Sequence, residues 1–202
     1  MPVYNVEKRW LHVVIQSVIN QIYPYWELCI VDDHSTSQET LSYLRRLNHI
    51  QIKISYSETN QGISSASNAA LALAQGEYVA LLDNDDLLTE NALYEVAHII
   101  NLHDPDLIYT DEDKITVDGA YVEPHFKPNF SPDLLFSTNY VCHLSILRKS
   151  LLDQIGGFRK GFEGSQDYDL VLRMTERTNN VYHIPKVLYH WRKHPWVNSC
   201  RI

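Results

Sequence analysis

The stretch YVALLDNDD, residues 78–86, is a short apolar run that leads directly into a cluster of carboxylates. An apolar run of this length without alternation is typical of a strand buried on both faces of a sheet. Leu28 to Asp33 and Leu107 to Asp113 have the same form, with apolar residues first and acidic residues last. We therefore predict three buried strands whose carboxyl ends carry acidic side chains.

Helical patterns separate these strands. Apolar residues recur at helical spacing between Lys8 and Asn20, and an alanine-rich helix is expected from Ser64 to Gln75. Thr36 stands three residues before Glu39, which is the spacing of a capping box and predicts the start of another helix. The alternation predicts an α/β fold with a mainly parallel central sheet and helices on both faces. In such sheets, ligands bind beyond the carboxyl ends of the strands.

The pattern is less regular after Gly119. The prolines between Glu123 and Pro132 predict an ordered loop. A helix from Pro132 to Ser137, a strand from His143 to Arg148 and a helix from Ser165 to Thr178 are expected to follow.

The composition fits one globular domain, with 202 residues, 45% hydrophobic and 21% charged. The net charge is −8 and the basic residues are scattered, so we predict no nucleic-acid partner. Cys29, Cys142 and Cys200 are too few for a disulfide framework and are expected to be reduced thiols. No stretch has the roughly 20 apolar residues of a membrane helix, and the charges from Glu7 to Arg9 interrupt any signal peptide.

Asp83 and Asp85 form the sharpest chemical motif. Two carboxylates at positions i and i+2 after a buried strand can present oxygens to one Mg²⁺ or Mn²⁺ ion. The alternative is an acidic turn that caps a helix. Asp32 and Asp33 can accept a hydrogen bond from the imide N–H of uracil or thymine, or can equally cap the turn that follows them.

Two further groups have both a chemical and a structural interpretation. Asp167 lies at the start of the late helix, where it could act as a general base or simply interact with the helix dipole. His190 and His194 flank Trp191-Arg192 and could reach a metal or a diphosphate, although isolated histidines are more often structural.

Together, several motifs resemble the family 2 glycosyltransferases, which have the GT-A fold. The resemblance covers essentially the whole chain, and the later motifs are similar to a bacterial subgroup that assembles O-antigen, capsule and other envelope polysaccharides. The motifs occur in order at Pro2 to Asn5, Val31 to Asp33, Asn60 to Gly62, Gly76 to Tyr78, Leu82 to Asp86, Phe126 to Pro128, Ser131 to Leu135, Gly156 to Phe158 and Gly161 to Leu170.

The resemblance implies roles for individual residues. Asp85 would bind Mn²⁺ or Mg²⁺, joined by Asp83 and by His194, whose surroundings depart from the family pattern. Asp167 would be the catalytic base, although Gln166 replaces the usual Glu. The nucleotide would be bound by Pro2, Val3, Tyr4, Asp32 or Asp33, Asn60, Asn68, Asp83 and Asn84.

The resemblance also implies an activity. It is inverting transfer of a sugar from a UDP- or dTDP-linked donor to a hydroxyl group of a glycan or lipid-linked glycan. Residues 1–118 would form the nucleotide-binding half of a single domain, and residues 119–202 the acceptor-binding half. The resemblance implies a cytoplasmic protein, and a peripheral position at the inner face of the cytoplasmic membrane is compatible with it. The sequence predicts no particular oligomeric state.

Three alternatives stay open. A sugar nucleotidyltransferase usually has a glycine-rich, basic loop after the first strand, whereas Tyr4 to Lys8 contains no glycine. A signalling receiver domain is shorter and lacks the block from Gln166 to Leu170. A truncated, inactive transferase remnant is the third, because the first strand is short and the segment from Pro195 to Ser199 departs from the family pattern.

Overall fold

The computed structural model describes residues 1–194, so Cys200 and the unusual segment after His194 lie outside the described residues. The helices are α1 (Lys8–Ile19), α2 (Gln38–Arg46), α3 (Ile63–Leu73), α4 (Ala92–His103), α5 (Pro132–Ser137), α6 (Lys149–Gln154) and α7 (Gln166–Thr175). The strands are β1 (Pro2–Val3), β2 (Leu28–Asp32), β3 (Ile52–Tyr56), β4 (Tyr78–Ala80), β5 (Leu87–Leu88), β6 (Leu107–Ile115), β7 (Tyr121–His125), β8 (Ser145–Arg148) and β9 (Val181–Arg192).

The start of α2 differs from the sequence prediction. The predicted capping box at Thr36 is wrong, because Ser37 is the N-cap of α2 and its side chain accepts a hydrogen bond from the Thr40 amide. Thr36 instead donates its amide hydrogen to the side chain of Asn5, at 2.8 Å. This contact ties the loop after β1 to the loop after β2.

The strands of residues 1–194 form two sheets. A three-stranded parallel sheet has the order β1-β2-β3. A six-stranded mixed sheet has the order β4-β8-β6-β9-β5, with β7 paired to β6. The α/β class is confirmed, and parallel pairing also joins β6 to β9. β8 runs antiparallel between β4 and β6, because the chain enters it beside Tyr109 and runs back along β6.

The apolar halves of the strands build the core and leave their acidic ends together. One cluster of buried residues includes Val3, Ile30 and Ile108, and a second includes Leu107, Leu147 and Leu170. Adjacent residues of β6 therefore pack into different clusters, as expected for a strand with both faces covered. None of the helices in residues 1–194 has the length and apolar character needed to cross a membrane.

Candidate active site

A continuous cleft of about 2410 Å³ runs along the boundary between the two sheets and reaches the acidic ends of β4 and β6. It is larger than the roughly 300–1,000 Å³ of a pocket for one small ligand. Its volume is therefore sufficient for two ligands at once. The side chains with chemical potential that line it are Asp83, Asp85, His143, Asp167, Trp191 and His194.

Asp83 follows β4 and projects into the cleft. Its carboxylate lies 3.8 Å from Nε2 of His143, and its side chain is 48% exposed. Its amide donates a hydrogen bond to the hydroxyl of Tyr189, at 3.3 Å. Loss of contact with water raises the pKa of Asp83, and the negative charges of Asp85 and Asp167 raise it further. The charge of His143 opposes this shift. This crowding of carboxylates favours the binding of positive charge.

Asp86 joins the segment after β4 to β9 and so stabilises the site. It is fully buried, and its two carboxylate oxygens accept hydrogen bonds from the Tyr189 hydroxyl (2.5 Å) and the Arg192 amide (2.7 Å). Burial, followed by the charge of Asp83, raises the pKa of Asp86 to about 8. Sequence reasoning gave Asp86 no role of its own, because its partners lie on β9, a strand without a clear sequence pattern.

The structure brings Asp85 and His194 together. Nε2 of His194 lies 2.6 Å from the Asp85 carboxylate, although the two residues are far apart in the sequence. Nε of Arg192 donates a hydrogen bond to the Asp85 carbonyl at 2.6 Å, and its guanidinium covers the Trp10 ring at 4.0 Å. His190 lies elsewhere and pairs with Asp113 at 2.5 Å.

His143 is a site residue that the sequence did not indicate. Asp83, Asp86 and His143 each offer one ligand atom, and these atoms lie within 4.8 Å of one another. Burial alone would lower the pKa of His143, but the carboxylates, led by Asp83 and Asp86, outweigh burial and raise it. A lone histidine in a loop carries no motif, so only the fold could reveal this contact.

A buried ion pair holds the backbone of His143 in place. Nζ of Lys127 contacts the Glu112 carboxylate at 3.0 Å and donates to the carbonyls of Val141 (2.7 Å) and His143 (2.5 Å). The Glu112 carboxylate also accepts the His143 amide, at 2.9 Å. Burial raises the pKa of Glu112, but the contact with His125 and the charge of Lys127 outweigh burial and lower that pKa to about 2. Glu112 therefore stays ionised.

The residues predicted for the nucleotide lie beside the cleft, around the ends of β1 and β2. Pro2 lines the cleft itself, and its carbonyl accepts a hydrogen bond from the side chain of Asn84, at 2.9 Å. The Val3 carbonyl accepts the amide of Asp33, at 2.8 Å. Tyr4 follows directly and is 51% exposed, so its ring is free to meet a ligand.

Asp32 and Asp33 are both buried but differ in their partners. The two carboxylate oxygens of Asp33 accept the amides of Gln61 (2.9 Å) and Gly62 (2.8 Å), and its carbonyl accepts the Asn60 side chain (3.1 Å). Asp32 accepts the Ser35 amide with Oδ2, whereas its Oδ1 has no partner among the described residues. Asp33 therefore fixes the Asn60 turn, and Asp32 retains an unused acceptor.

Asn68 makes contacts of a different kind. Its side-chain oxygen accepts the Phe158 amide and its side-chain nitrogen donates to the Phe158 carbonyl, both at 2.8 Å. Asn68 does not line the cleft. In the structure it links α3 to the turn before α7, and its predicted nucleotide contact stays a prediction.

Asp167 lies in the first turn of α7 and lines the same cleft as Asp83. Its carboxylate accepts a hydrogen bond from the side chain of Asn139, at 3.2 Å. Gln166, beside it, accepts the Gly164 amide at 2.7 Å and so stabilises the loop that leads into the helix. The fold therefore faces a carboxylate of the second half toward those at the end of β4.

Comparisons with known proteins agree with this geometry. A family model described as "Glycosyl transferase family 2" matches residues 1–156. The uncharacterized protein y4gI of Sinorhizobium fredii is 45% identical over 96% of this chain, which corresponds to 22% of that protein. The O-antigen biosynthesis protein RfbC of Myxococcus xanthus is 38% identical over 95% of this chain, which corresponds to 15% of that protein. The chain thus spans less than a quarter of the length of these two relatives.

The crystal structure of S. aureus TarS 1-349 in complex with UDP-GlcNAc is similar to the whole chain. It superimposes with a TM-score of 0.80 and 25% sequence identity, over 100% of this chain and 60% of that one. The α/β architecture of the GT-A type, expected from the sequence, is thereby confirmed.

Proposed function

This chain belongs to glycosyl transferase family 2, and from that premise we propose that it transfers a sugar from a nucleoside-diphosphate donor to a glycan hydroxyl. One observation carries the proposal: Asp167 is distant in the sequence from Asp83 and Asp85, yet all three line one cleft with space for two ligands. The donor is UDP- or dTDP-linked, and the acceptor is a glycan or lipid-linked glycan of a cell-envelope polysaccharide. The names of RfbC and TarS, one tied to O-antigen and the other solved with UDP-GlcNAc, support this choice.

The donor nucleotide occupies the ends of β1 and β2 in this proposal. The exposed ring of Tyr4 stacks on the base, and a carboxylate of Asp32 or Asp33 accepts the base imide N–H. Oδ1 of Asp32 is buried and has no partner among the described residues, and an acceptor that is costly to leave unpaired favours Asp32. Pro2, Val3, Asn60 and Asn84 shape the pocket through the backbone contacts described above, and Asn68 supports it from α3.

The side chains at the end of β4 fit a divalent cation. Asp83, Asp85 and His194 would bind Mn²⁺ or Mg²⁺, because carboxylate oxygens suit these ions and His194 lies against the Asp85 carboxylate. The closeness of Asp85 to His194 and of Asp83 to His143 supports that assignment. When bound there, the cation supplies positive charge that stabilises the departing nucleoside diphosphate.

Asp167 is the general base of the proposed reaction. Its carboxylate takes the proton of the acceptor hydroxyl as that oxygen forms a bond to the anomeric carbon. The bond between the anomeric carbon and the phosphate oxygen breaks on the opposite face, and the nucleoside diphosphate leaves with the electron pair. One displacement inverts the configuration at that carbon. Asn139, which donates to Asp167, orients the carboxylate.

In this proposal, the two halves of the chain bind different substrates. Residues 1–118 bind the donor, and residues 119–202 bind the acceptor and supply the base. The enzyme acts in the cytoplasm, at the inner face of the cytoplasmic membrane if its acceptor is lipid-linked.

Asp85→Ala tests the proposed metal and donor site. We expect the variant to lose Mn²⁺-dependent affinity for UDP, measured by titration calorimetry, because a cation ligand is missing. Asp118→Ala, which removes an exposed carboxylate outside the cleft, is the matched control. Unchanged UDP affinity in Asp85→Ala would contradict the site. A wild-type protein that binds UDP but neither hydrolyses nor transfers any nucleotide sugar would be an inactive remnant.

A further inference from the structure

Trp191 presents an aromatic ring inside the cleft that the proposed donor site does not use. It is 38% exposed and lines the cleft together with Asp83, His143 and Asp167. A tryptophan exposed at the surface of a binding cleft offers a large flat apolar face at low entropic cost. The ring therefore has the properties of a contact surface for a ligand.

The neighbours of Trp191 fix its position relative to the reacting groups. Trp191 follows Tyr189 by two residues on β9, so the two rings lie on the same face of the strand. The His143 ring stacks on Tyr189, with centroids 4.8 Å apart and planes at 14°. It meets Trp191 edge-on, with centroids 5.7 Å apart and planes at 67°. His143 thus covers Tyr189, and Trp191 is the next ring along the cleft.

Polar groups border the other side of this ring. Nζ of Lys114 lies 5.8 Å from the centroid of the Trp191 ring and contacts the Glu123 carboxylate at 2.7 Å. Lys193 also pairs with Glu123. These groups come from the β6–β7 hairpin and the end of β9, and all three line the cleft. An apolar ring beside hydrogen-bond donors and acceptors is complementary to a pyranose, which has an apolar face and a rim of hydroxyl groups.

We propose that Trp191 is the platform for the acceptor sugar, with the pyranose stacked on the indole and its hydroxyl groups facing Lys114 and Glu123. This inference rests on the proposed function and names a site within it. The donor diphosphate is assigned to Asp83 and Asp85, and the base to Asp32 or Asp33, so the cleft beyond His143 is left for the second substrate. A sugar on Trp191 lies beside His143, which is 3.8 Å from Asp83, and so next to the reacting centre.

Saturation-transfer NMR tests the platform directly. The probes are the methyl β-glycosides of glucose, galactose and N-acetylglucosamine, each added to protein with UDP and Mg²⁺. We expect at least one glycoside to bind the wild type. Trp191→Ala should weaken that binding roughly 10-fold or more, and Trp191→Phe should retain most of it, because a ring remains. Phe136→Ala removes an aromatic ring that is 70% exposed but outside the cleft, and serves as the control.

The outcomes separate the two proposals. Equal glycoside binding by wild type and Trp191→Ala, or no glycoside binding by wild type that binds UDP, overturns the platform alone. Failure of the wild type to bind any nucleotide overturns the proposed function itself. UDP affinity and melting temperature, measured for each variant, show whether it is folded, and Trp191→Phe keeps the test decisive if Trp191→Ala is not.

Discussion

Asp167 has an environment that distinguishes it from Asp169, the other acidic residue of its helix. Its carboxylate receives one hydrogen bond, from Asn139, and faces the cleft. Asp169, two residues later, is buried and paired with Arg159 and Arg173. A carboxylate that must accept a proton needs access to the substrate, and of this pair only Asp167 lines the cleft.

Asp167→Asn should therefore slow the chemistry and leave donor binding intact. We expect sugar transfer or donor hydrolysis to fall by about 10²–10⁴-fold, because general-base catalysis contributes that much. The dissociation constant of UDP should be essentially unchanged. Both are measured by a nucleotide-release assay and calorimetry. Asp133→Asn, at an exposed position in the first turn of α5, is the control. Full turnover in Asp167→Asn would remove this residue from the mechanism.

At the scale of the element, the attachment of α7 to its neighbours depends on the ion pairs of Asp169. Burial alone would raise the pKa of Asp169, but hydrogen bonds from Arg159 and Arg173 outweigh burial and lower it below the ordinary 3.8. Arg173 also donates to the carbonyls of Ile155 (2.9 Å) and Gly157 (2.6 Å). The pair thus joins the first turn of α7, which carries Asp167, to the Gly156–Gly157 turn.

Asp169→Asn should lower the free energy of unfolding by about 2 kcal/mol near neutral pH, because charged hydrogen bonds are lost. A lowered folded-state pKa means that this stabilisation is present above pH 3.8 and is lost as the pH falls through the folded pKa. The difference from wild type in urea denaturation should therefore shrink below pH 3.8. Asp153→Asn, which breaks a surface pair with Lys149, should have little effect. A difference that persists at low pH would exclude the ionic explanation.

The elements that the sequence predicted well have regular patterns. α1 and β2 follow from helical spacing and from an unbroken apolar run, and their buried residues bear this out. β7 lies partly where a loop was expected, because pairing with β6 outweighs the effect of Pro124 on an edge strand. β9 was not predicted, since Pro185, Lys186 and several histidines disrupt any alternation. Its strand conformation depends on the parallel pairing with β6.

The candidate site likewise contains some residues that the sequence predicted and others that it did not. Asp83, Asp85, Asp167 and His194 belong to motifs, and the structure brings them to one cleft. His143 and Asp86 take part only through contacts between distant strands, with Tyr189 stacked on one and bonded to the other. Such contacts leave no mark in the local sequence. The donor sugar and the acceptor depend on cleft shape and were not predictable from spacing.

At the scale of the whole molecule, the two halves of the chain are joined by the mixed sheet and by a contact between Asn68 and Phe158. β4 and β5 come from the first half, and β8 and β9 from the second, within the same mixed sheet. The side chain of Asn68 adds two hydrogen bonds to Phe158. The proposed donor and acceptor regions are therefore held by shared backbone pairing.

Gly157→Ala should weaken the contact between Asn68 and Phe158. A Cβ at Gly157 would lie 2.5 Å from Oδ1 of Asn68, in a backbone with φ of +65°. Gly156 has a φ of +78° and open space around its Cβ position, so Gly156→Ala carries the conformational cost alone. We expect Gly157→Ala to reduce the free energy of unfolding by about 1–3 kcal/mol more than Gly156→Ala, because overpacking adds to that cost. Equal losses in guanidinium denaturation would show that Asn68 moves aside freely.

Because Lys127 is buried, the reactivity of its amine can report how often the surrounding structure opens. Its side chain is 0% exposed and its ammonium is bonded to Glu112 and to the carbonyls of Val141 and His143. An amine-acylating reagent reaches surface lysines such as Lys160 at once, but reaches Lys127 only when this network comes apart. Peptide mass spectrometry after timed acylation would thus give the opening rate at a single residue beside the cleft, with no probe attached to the protein.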